Sequence, residues 1–237
     1  MPRKRQIIQM VLIGVLVGIA AALIAYLVPW LPDRATTEAT AIDHVFWFTT
    51  FICLAIFALV AAVSIYAGIK FRAGPDDPDD GAPIHGHTGL EIVWTAVPAV
   101  LVTSIALYSS ITLIDLEDIP ADHRVVKVTS QQFAWSFTYP DLKTTKGELV
   151  LERGKPVELE LTSKDVIHSF WVPEFRMKQD AVPGVTTHLV ITPDRTGTFD
   201  VVCTELCGLG HAGMRARAVV LDRQKYARWV EEQKAAL

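Results

Sequence analysis

The sequence predicts a membrane-anchored molecule in two parts: apolar membrane-spanning α-helices, two or three of them, followed by an all-β domain of the antiparallel sandwich or barrel kind. Three observations carry this. Apolar runs of about bilayer length recur before residue 117. Beyond it, apolar and polar residues alternate with period two in short runs punctuated by Pro and Gly, the pattern of half-buried strands. The chain of 237 residues is 51% hydrophobic with a mean hydropathy of +0.31, too apolar for an ordinary soluble domain.

The first part, residues 1–31, opens with the basic stretch Met1–Arg5 and continues as an unbroken apolar run from Ile7 to Val28, bounded by Pro29, Trp30 and Pro32. About 20 apolar residues span a bilayer. A positive start before an apolar core also describes a secretory signal, but this core is longer than a signal's and no clear A-x-A cleavage site follows it. Both readings stay open, with a retained helix preferred. Residues 42–116 read as a transmembrane helical hairpin. Its first run, Val45 to Ile69, starts with Phe46, Trp47 and Phe48 and ends in Lys70 and Arg72, which places the basic end in the cytoplasm. A cytoplasmic loop, 73–89, contains the acidic, turn-rich Gly74–Gly81 and is expected to be solvated and mobile; its His85 and His87 are expected to be bystanders. The second run, Leu90 to Ile114, carries Glu91 at its cytoplasmic end and Pro98 inside, where a kink is expected. Everything from Asp115 on then emerges on the outer face.

Residues 117–222 read as one β domain with strands at 124–129, 133–139, 148–152, 157–161, 167–172, 187–191, 199–202 and 215–221. Residues 223–237 read as a closing helix with Asp222 as its N-cap.

The chemistry concentrates in Cys203-Thr204-Glu205-Leu206-Cys207-Gly208-Leu209-Gly210-His211-Ala212-Gly213-Met214. Two thiols, an imidazole and a thioether in one short Gly-rich loop are soft ligands that suit copper. His168, at the start of Ile167–Val172, can complete the set from a neighbouring strand. A blue-copper site needs one Cys only, so the second thiolate suits two metals sharing bridging sulfurs. Three other readings compete. A Cys203–Cys207 disulfide fits an oxidising compartment but leaves His211 and Met214 unused. A Cys2His2 zinc site with His168 leaves Met214 without a role. Unligated core thiols beside a surface His is the third.

Asp165-Val166-Ile167-His168-Ser169-Phe170, Asp180-Ala181-Val182-Pro183-Gly184 and the loop from Cys203 to Met214 together resemble, in order and spacing, the signature of cytochrome c oxidase subunit II, a resemblance that runs from about Ile42 onward. It implies a cupredoxin-like Greek-key β-sandwich holding the dinuclear copper centre CuA. In it His168 and His211 bind one copper each, Cys203 and Cys207 bridge, Met214 is axial, and Glu205 offers its backbone carbonyl to the other copper and its side chain to a magnesium ion at the boundary with subunit I. The implied function is electron entry to a proton-pumping terminal oxidase. Cytochrome c delivers one electron at a time, and the copper pair passes it to haem in subunit I, where oxygen is reduced to water. The implied setting is the bacterial plasma membrane, multi-pass, with the copper domain outside and subunits I and III as partners. The pattern around Glu91 resembles a helix whose Glu is associated with a proton-channel mouth. Gln132-Phe133-Ala134-Trp135 stands where the family usually has Gln-Trp-Tyr-Trp, so Phe133 replaces the proposed electron-entry Trp, and Phe133 and Trp135 are the candidates for close contact with the donor.

No C-x-x-C-H haem-attachment motif occurs, so a separate donor protein is expected. A net charge of −4 excludes a basic nucleic-acid footprint, and three Cys exclude a disulfide-rich scaffold. Acidic and basic residues nearly balance beyond Glu117, which implies modest steering of the donor. The competing functions are a quinol oxidase subunit II, which normally lacks the copper ligands, and a membrane-anchored copper chaperone, which needs neither the Glu91 pattern nor Glu205.

Overall fold

The computed structural model of the chain describes residues 2–72, 74, 83 and 85–236. The acidic stretch from Pro75 to Gly81 lies outside the described residues. The chain forms two units, Met1–Trp30 with Val45–Ser110, and Leu31–His44 with Ile111–Leu237.

The first unit holds α1 (Pro2–Leu27), most of α2 (Glu38–Lys70) and most of α3 (Thr88–Glu117). All three are long and apolar enough to cross a membrane. Large side chains such as Leu16, Phe57, Leu59 and Val100 are exposed along them, as lipid-facing residues are. α1 and α2 run antiparallel on small residues. A Cβ on Gly14 would lie 3.4 Å from the Ala62 Cβ, and one on Gly18 3.6 Å from the Ala58 Cβ. Gly-x-x-x-Gly against Ala-x-x-x-Ala lets two backbones approach closely enough for dispersion to hold them, which matters where lipid tails give helices no hydrophobic reason to associate. α3 continues unbroken through Pro98. Its start is capped reciprocally: the Leu90 N–H donates to His87 Nδ1 at 3.1 Å and the His87 N–H donates to Glu91 Oε1 at 3.0 Å.

The second unit is a sandwich of two five-stranded sheets. Its strands are β1 (Arg124–Gln131), β2 (Ala134–Tyr139), β3 (Thr144–Lys146), β4 (Glu148–Glu152), β5 (Val157–Ser163), β6 (His168–Trp171), β7 (Lys178–Ala181), β8 (Thr187–Ile191), β9 (Gly197–Cys203) and β10 (Arg215–Leu221), closed by α4 (Arg223–Ala235). The sheet orders are β3-β2-β1-β5-β8 and β4-β10-β9-β6-β7. The core between them includes Val128, Phe137, Leu149, Leu159, Phe170, Phe175, Val201 and Ala218; burial alternates along β1, β2 and β9 and is continuous over most of β4 and β6. Eight of the ten strands sit where the alternation puts them. β3 and β7 are additions, three and four residues long and rich in Lys, Thr and Gln. The sandwich is not purely antiparallel: β1 pairs β5 and β4 pairs β10 in parallel. Alternation fixes which face is buried but is silent on a neighbour's direction.

Residues 31–44 belong to this second unit although they precede two apolar helices in sequence. Ala35, Thr36 and Ala39 are fully buried. Thr36 bridges Pro193, the Ala35 N–H donates to the Glu174 carbonyl at 2.9 Å and the Asp194 N–H to the Ala35 carbonyl at 3.0 Å. Arg176, backbone in the left-handed region at φ 67°, donates from Nε to Asp43 Oδ1 at 2.7 Å and from Nη2 to the Pro32 carbonyl at 2.6 Å. α2 therefore begins at Glu38 rather than at the apolar Val45, its first turn started by Thr36 Oγ1, which accepts from the Ala39 N–H.

At the far end, Asp222 Oδ1 accepts from the Lys225 N–H at 2.9 Å and caps α4 as expected. Trp229 of that helix packs on Tyr139 with ring centroids 5.1 Å apart.

Candidate metal centre

Three strands bring the donors together. β6 starts on His168, β9 ends on Cys203, and the loop from Thr204 to Met214 returns the chain to β10. β6 lies beside β9, with Phe170 opposite Cys203, so His168 and the loop share one edge of the sheet. The loop is pinned at both ends: the Thr204 N–H donates to the Ser169 carbonyl at 3.0 Å and the Cys203 N–H to the Met214 carbonyl at 3.3 Å.

Cys203 Sγ and Cys207 Sγ stand 3.9 Å apart. A disulfide needs roughly 2.05 Å, and both thiols are free. Around this pair the other donors divide into two sets. His168 Nδ1 is 3.9 Å from Cys203 Sγ and the Glu205 carbonyl is 3.4 Å from the same sulfur. His211 Nδ1 is 3.6 Å from Cys207 Sγ and Met214 Sδ is 3.8 Å from it. Metal–ligand bonds of 2.0–2.3 Å set neighbouring donors about 3.3–3.8 Å apart around a tetrahedral ion, and these separations are of that size. Among the described residues, His168, Cys203 and Cys207 form one cluster with all ligand atoms within 4.8 Å of one another. His211 stands outside that cluster and joins it through Cys207. One tetrahedral ion held by all four would draw His211 inside. Instead each sulfur faces its own nitrogen and its own weaker donor.

Electrostatics and positioning agree with metal ligation. His168 is completely buried, and its Nε2 donates to Asp165 Oδ1 at 2.9 Å. A carboxylate on Nε2 fixes the tautomer that leaves Nδ1 as a bare lone pair facing Cys203. Asp165 is held well below the usual carboxylate range, first by the Gln132 N–H and then by the His168 ring; it stays an acceptor at neutral pH. Cys207, by contrast, is pushed up to about 11, mostly by burial and then by the neighbouring Cys203 sulfur. Without a metal its proton stays on, so ligation must displace that proton.

Two features of the site escape a reading of residue types. Gln132 ties both halves together: its N–H donates to Asp165 Oδ2 at 2.7 Å, and its Nε2 donates to the Cys207 carbonyl at 2.5 Å. Phe133 lies against the loop's glycines. A Cβ on Gly210 would fall 2.5 Å from Phe133 Cδ2, and one on Gly208, whose φ is +131°, 2.9 Å from Gln132 Nε2. Only glycine fits under that ring. Phe133 itself is 41% exposed, beside the exposed Leu206 and Leu209 of the loop. Trp135 is only 4% exposed. It meets the His168 ring edge-on at 6.1 Å and Phe170 at 5.8 Å, so a partner protein cannot touch it directly. Glu205 is exposed, and among the described residues its carboxylate joins no cluster of three ligand groups. Glu91 lies elsewhere, at the start of α3, bound to the His87 N–H.

The family model described as cytochrome C oxidase subunit II, periplasmic domain, matches residues 144–221, and the one described as its transmembrane domain matches residues 26–111. Cytochrome c oxidase subunit 2 of Synechocystis is 32% identical, over 84% of this chain and 74% of that protein. The protein of the same name from Thermostichus vulcanus is 33% identical over 86% and 79%. Quinol oxidase subunit 2 of Bacillus cereus is 29% identical over 75% and 63%. Among solved structures, the periplasmic domain of subunit II of cytochrome oxidase from Bradyrhizobium japonicum is similar at 32% identity and a TM-score of 0.46, over 50% of this chain and 99% of that one.

Proposed function

Because the chain belongs to the cytochrome c oxidase subunit II family, we propose that its outer domain holds the dinuclear copper centre CuA and takes electrons one at a time from cytochrome c for delivery to haem in subunit I. Membership makes the chain a subunit of a haem–copper terminal oxidase, an oxidoreductase. It is a multi-pass bacterial membrane protein with a periplasmic C-terminal domain.

The observation that carries the copper reading is the gathering of four further donors around two sulfurs 3.9 Å apart. His168 and His211 would hold one copper each and Cys203 and Cys207 both, with Met214 a weak donor to one copper and the Glu205 carbonyl to the other. When bound, the pair supplies one-electron redox chemistry. The protein's part is to keep the donors in place in both oxidation states, through Asp165 on His168 and Gln132 on the Cys207 carbonyl. Phe133, Leu206 and Leu209 present an apolar surface above the loop, and of the two aromatic candidates Phe133 is the one a donor can reach. Burial of Trp135 under His168 suits packing of the ligand ring.

A magnesium role for Glu205 and a proton-entry role for Glu91 rest on the resemblance alone. The relation to quinol oxidase subunits is the one observation that favours a second reading, a copper-free module. The complete donor set weighs against it. Metal analysis and electron spin resonance of the purified oxidase separate the readings. CuA predicts two coppers in this subunit and one unpaired electron shared between them. A metal-free subunit would indicate the quinol enzyme, one copper a delivery protein, and a single zinc with no spin signal a structural site.

A further inference from the structure

α1 and α2 leave a groove of about 630 Å³ at their basic ends, lined by Arg5, Gln6, Gln9, Leu12, Tyr66 and Lys70 among others, with no acidic side chain among the described residues that line it. Arg5 and Lys70 bring two positive charges to it, on the side that the Lys70 and Arg72 ends place in the cytoplasm. Tyr66 is 8% exposed, and its hydroxyl is buried with no hydrogen-bond partner among the described residues. A buried hydroxyl without a partner is rare in a finished structure and points to a group that supplies one. Deeper in the groove the lining turns apolar, at Leu12 and Ile13. Two cations and an orphan donor at the membrane surface, above an apolar channel, match a phosphodiester joined to an acyl chain.

We propose that this groove binds an anionic phospholipid, its phosphate held by Arg5, Lys70 and the Tyr66 hydroxyl and one acyl chain lying along Leu12 and Ile13. The site requires α1 to persist in the mature protein. The Gly14–Ala62 and Gly18–Ala58 contacts are a fitted seam of the kind two resident helices make, whereas a leader destined for removal needs only an apolar core. The matched transmembrane family model begins at residue 26, so nearly all of α1 lies before the matched region, while Tyr66, Ile69 and Lys70 of the groove lie within it. The proposal is independent of the copper reading.

The test is native mass spectrometry of the assembled oxidase exchanged into detergent with phosphatidylglycerol or phosphatidylcholine. One phosphatidylglycerol should stay on the full-length subunit through a wash that strips phosphatidylcholine. Arg5→Gln and Lys70→Gln should each weaken retention roughly fivefold, and the pair roughly 25-fold, the effect expected for cations near an anionic headgroup. Tyr66→Phe, which leaves every orienting charge in place, should also weaken it. Equal retention of the two lipids, or retention unchanged in Tyr66→Phe and both Gln variants, overturns the site. Complete displacement of the lipid by millimolar inorganic phosphate overturns the lipid assignment. An intact mass that begins after residue 30 overturns the proposal entirely.

Discussion

The two sulfurs of the loop do not carry equal neighbours. Met214 is fully buried, and its Sδ lies 3.8 Å from Cys207 Sγ. In the proposed centre a thioether there would be a weak axial donor, which tunes potential more than affinity. Met214→Leu, similar in volume and costing under about 1.5 kcal/mol of packing, should therefore keep both coppers and move the reduction potential, read by redox titration of the near-infrared band; loss of copper would show Met214 to be a principal ligand. Gly210 tests the contact between Phe133 and the loop. Gly210→Ala should destabilise the outer domain by about 1–3 kcal/mol, the usual cost of overpacking, because the methyl lands on the Phe133 ring. Adding Phe133→Ala should recover most of that, and a double variant as unstable as the sum of its parts would place the strain elsewhere. The candidate donors were legible in the sequence because thiol, imidazole and thioether seldom share one short loop. Asp165 and Gln132 were not legible as positioning groups. Asp165 acts through the His168 ring, and Gln132 through hydrogen bonds to Asp165 and the Cys207 carbonyl, a network completed only after β1, β6 and the loop have met.

At the level of elements, the apolar runs and the alternating strands declared themselves, since burial imposes its period directly on residue choice. What escaped was structure held by backbone pairing or by a few polar contacts: β3, β7, the two parallel pairings, and residues 31–44, a short stretch between apolar runs that no periodicity marks. Those residues are part of the sandwich, and Arg176 is their main fastener. Its guanidinium is 7% exposed and Asp43 23%. Arg176→Ala should cost about 3 kcal/mol by leaving a largely buried carboxylate without its partner, seen as a lower Tm of the outer domain and faster hydrogen exchange at Ala35 and Asp194. Arg176→Lys should recover little, as one ammonium cannot serve both Asp43 and the Pro32 carbonyl. α4 responds to pH through its cap. The Lys225 N–H, first among the causes, lowers the Asp222 pKa below its ordinary value. A group with a depressed folded-state pKa adds stability above its unfolded pKa, about 3.9, and loses it as pH falls through the folded value. Exchange protection at Lys225 should thus hold down to about pH 4 and fall below it. Asp222→Asn, which keeps an acceptor but cannot titrate there, should flatten the profile.

For the molecule as a whole, charge matters chiefly through its balance. Acidic and basic residues of the outer domain nearly cancel, while Phe133, Leu206 and Leu209 stand exposed at the loop. Reaction with a basic cytochrome c should accordingly depend weakly on ionic strength between low and physiological salt. A steep fall in the second-order rate would show that local charge, rather than apolar contact, guides the encounter. The donor geometry also sets an order of events in the life of the protein. His168 lies 35 residues before Cys203, and only the closed sandwich makes them neighbours, so under the proposed copper reading metal would enter no earlier than the end of folding. Until it arrives, two reduced sulfurs wait side by side in an oxidising compartment, less than 2 Å of travel from a cross-link that would shut the centre for good unless reversed. The yield of working oxidase is then decided by a race between a metal supplier and an oxidant.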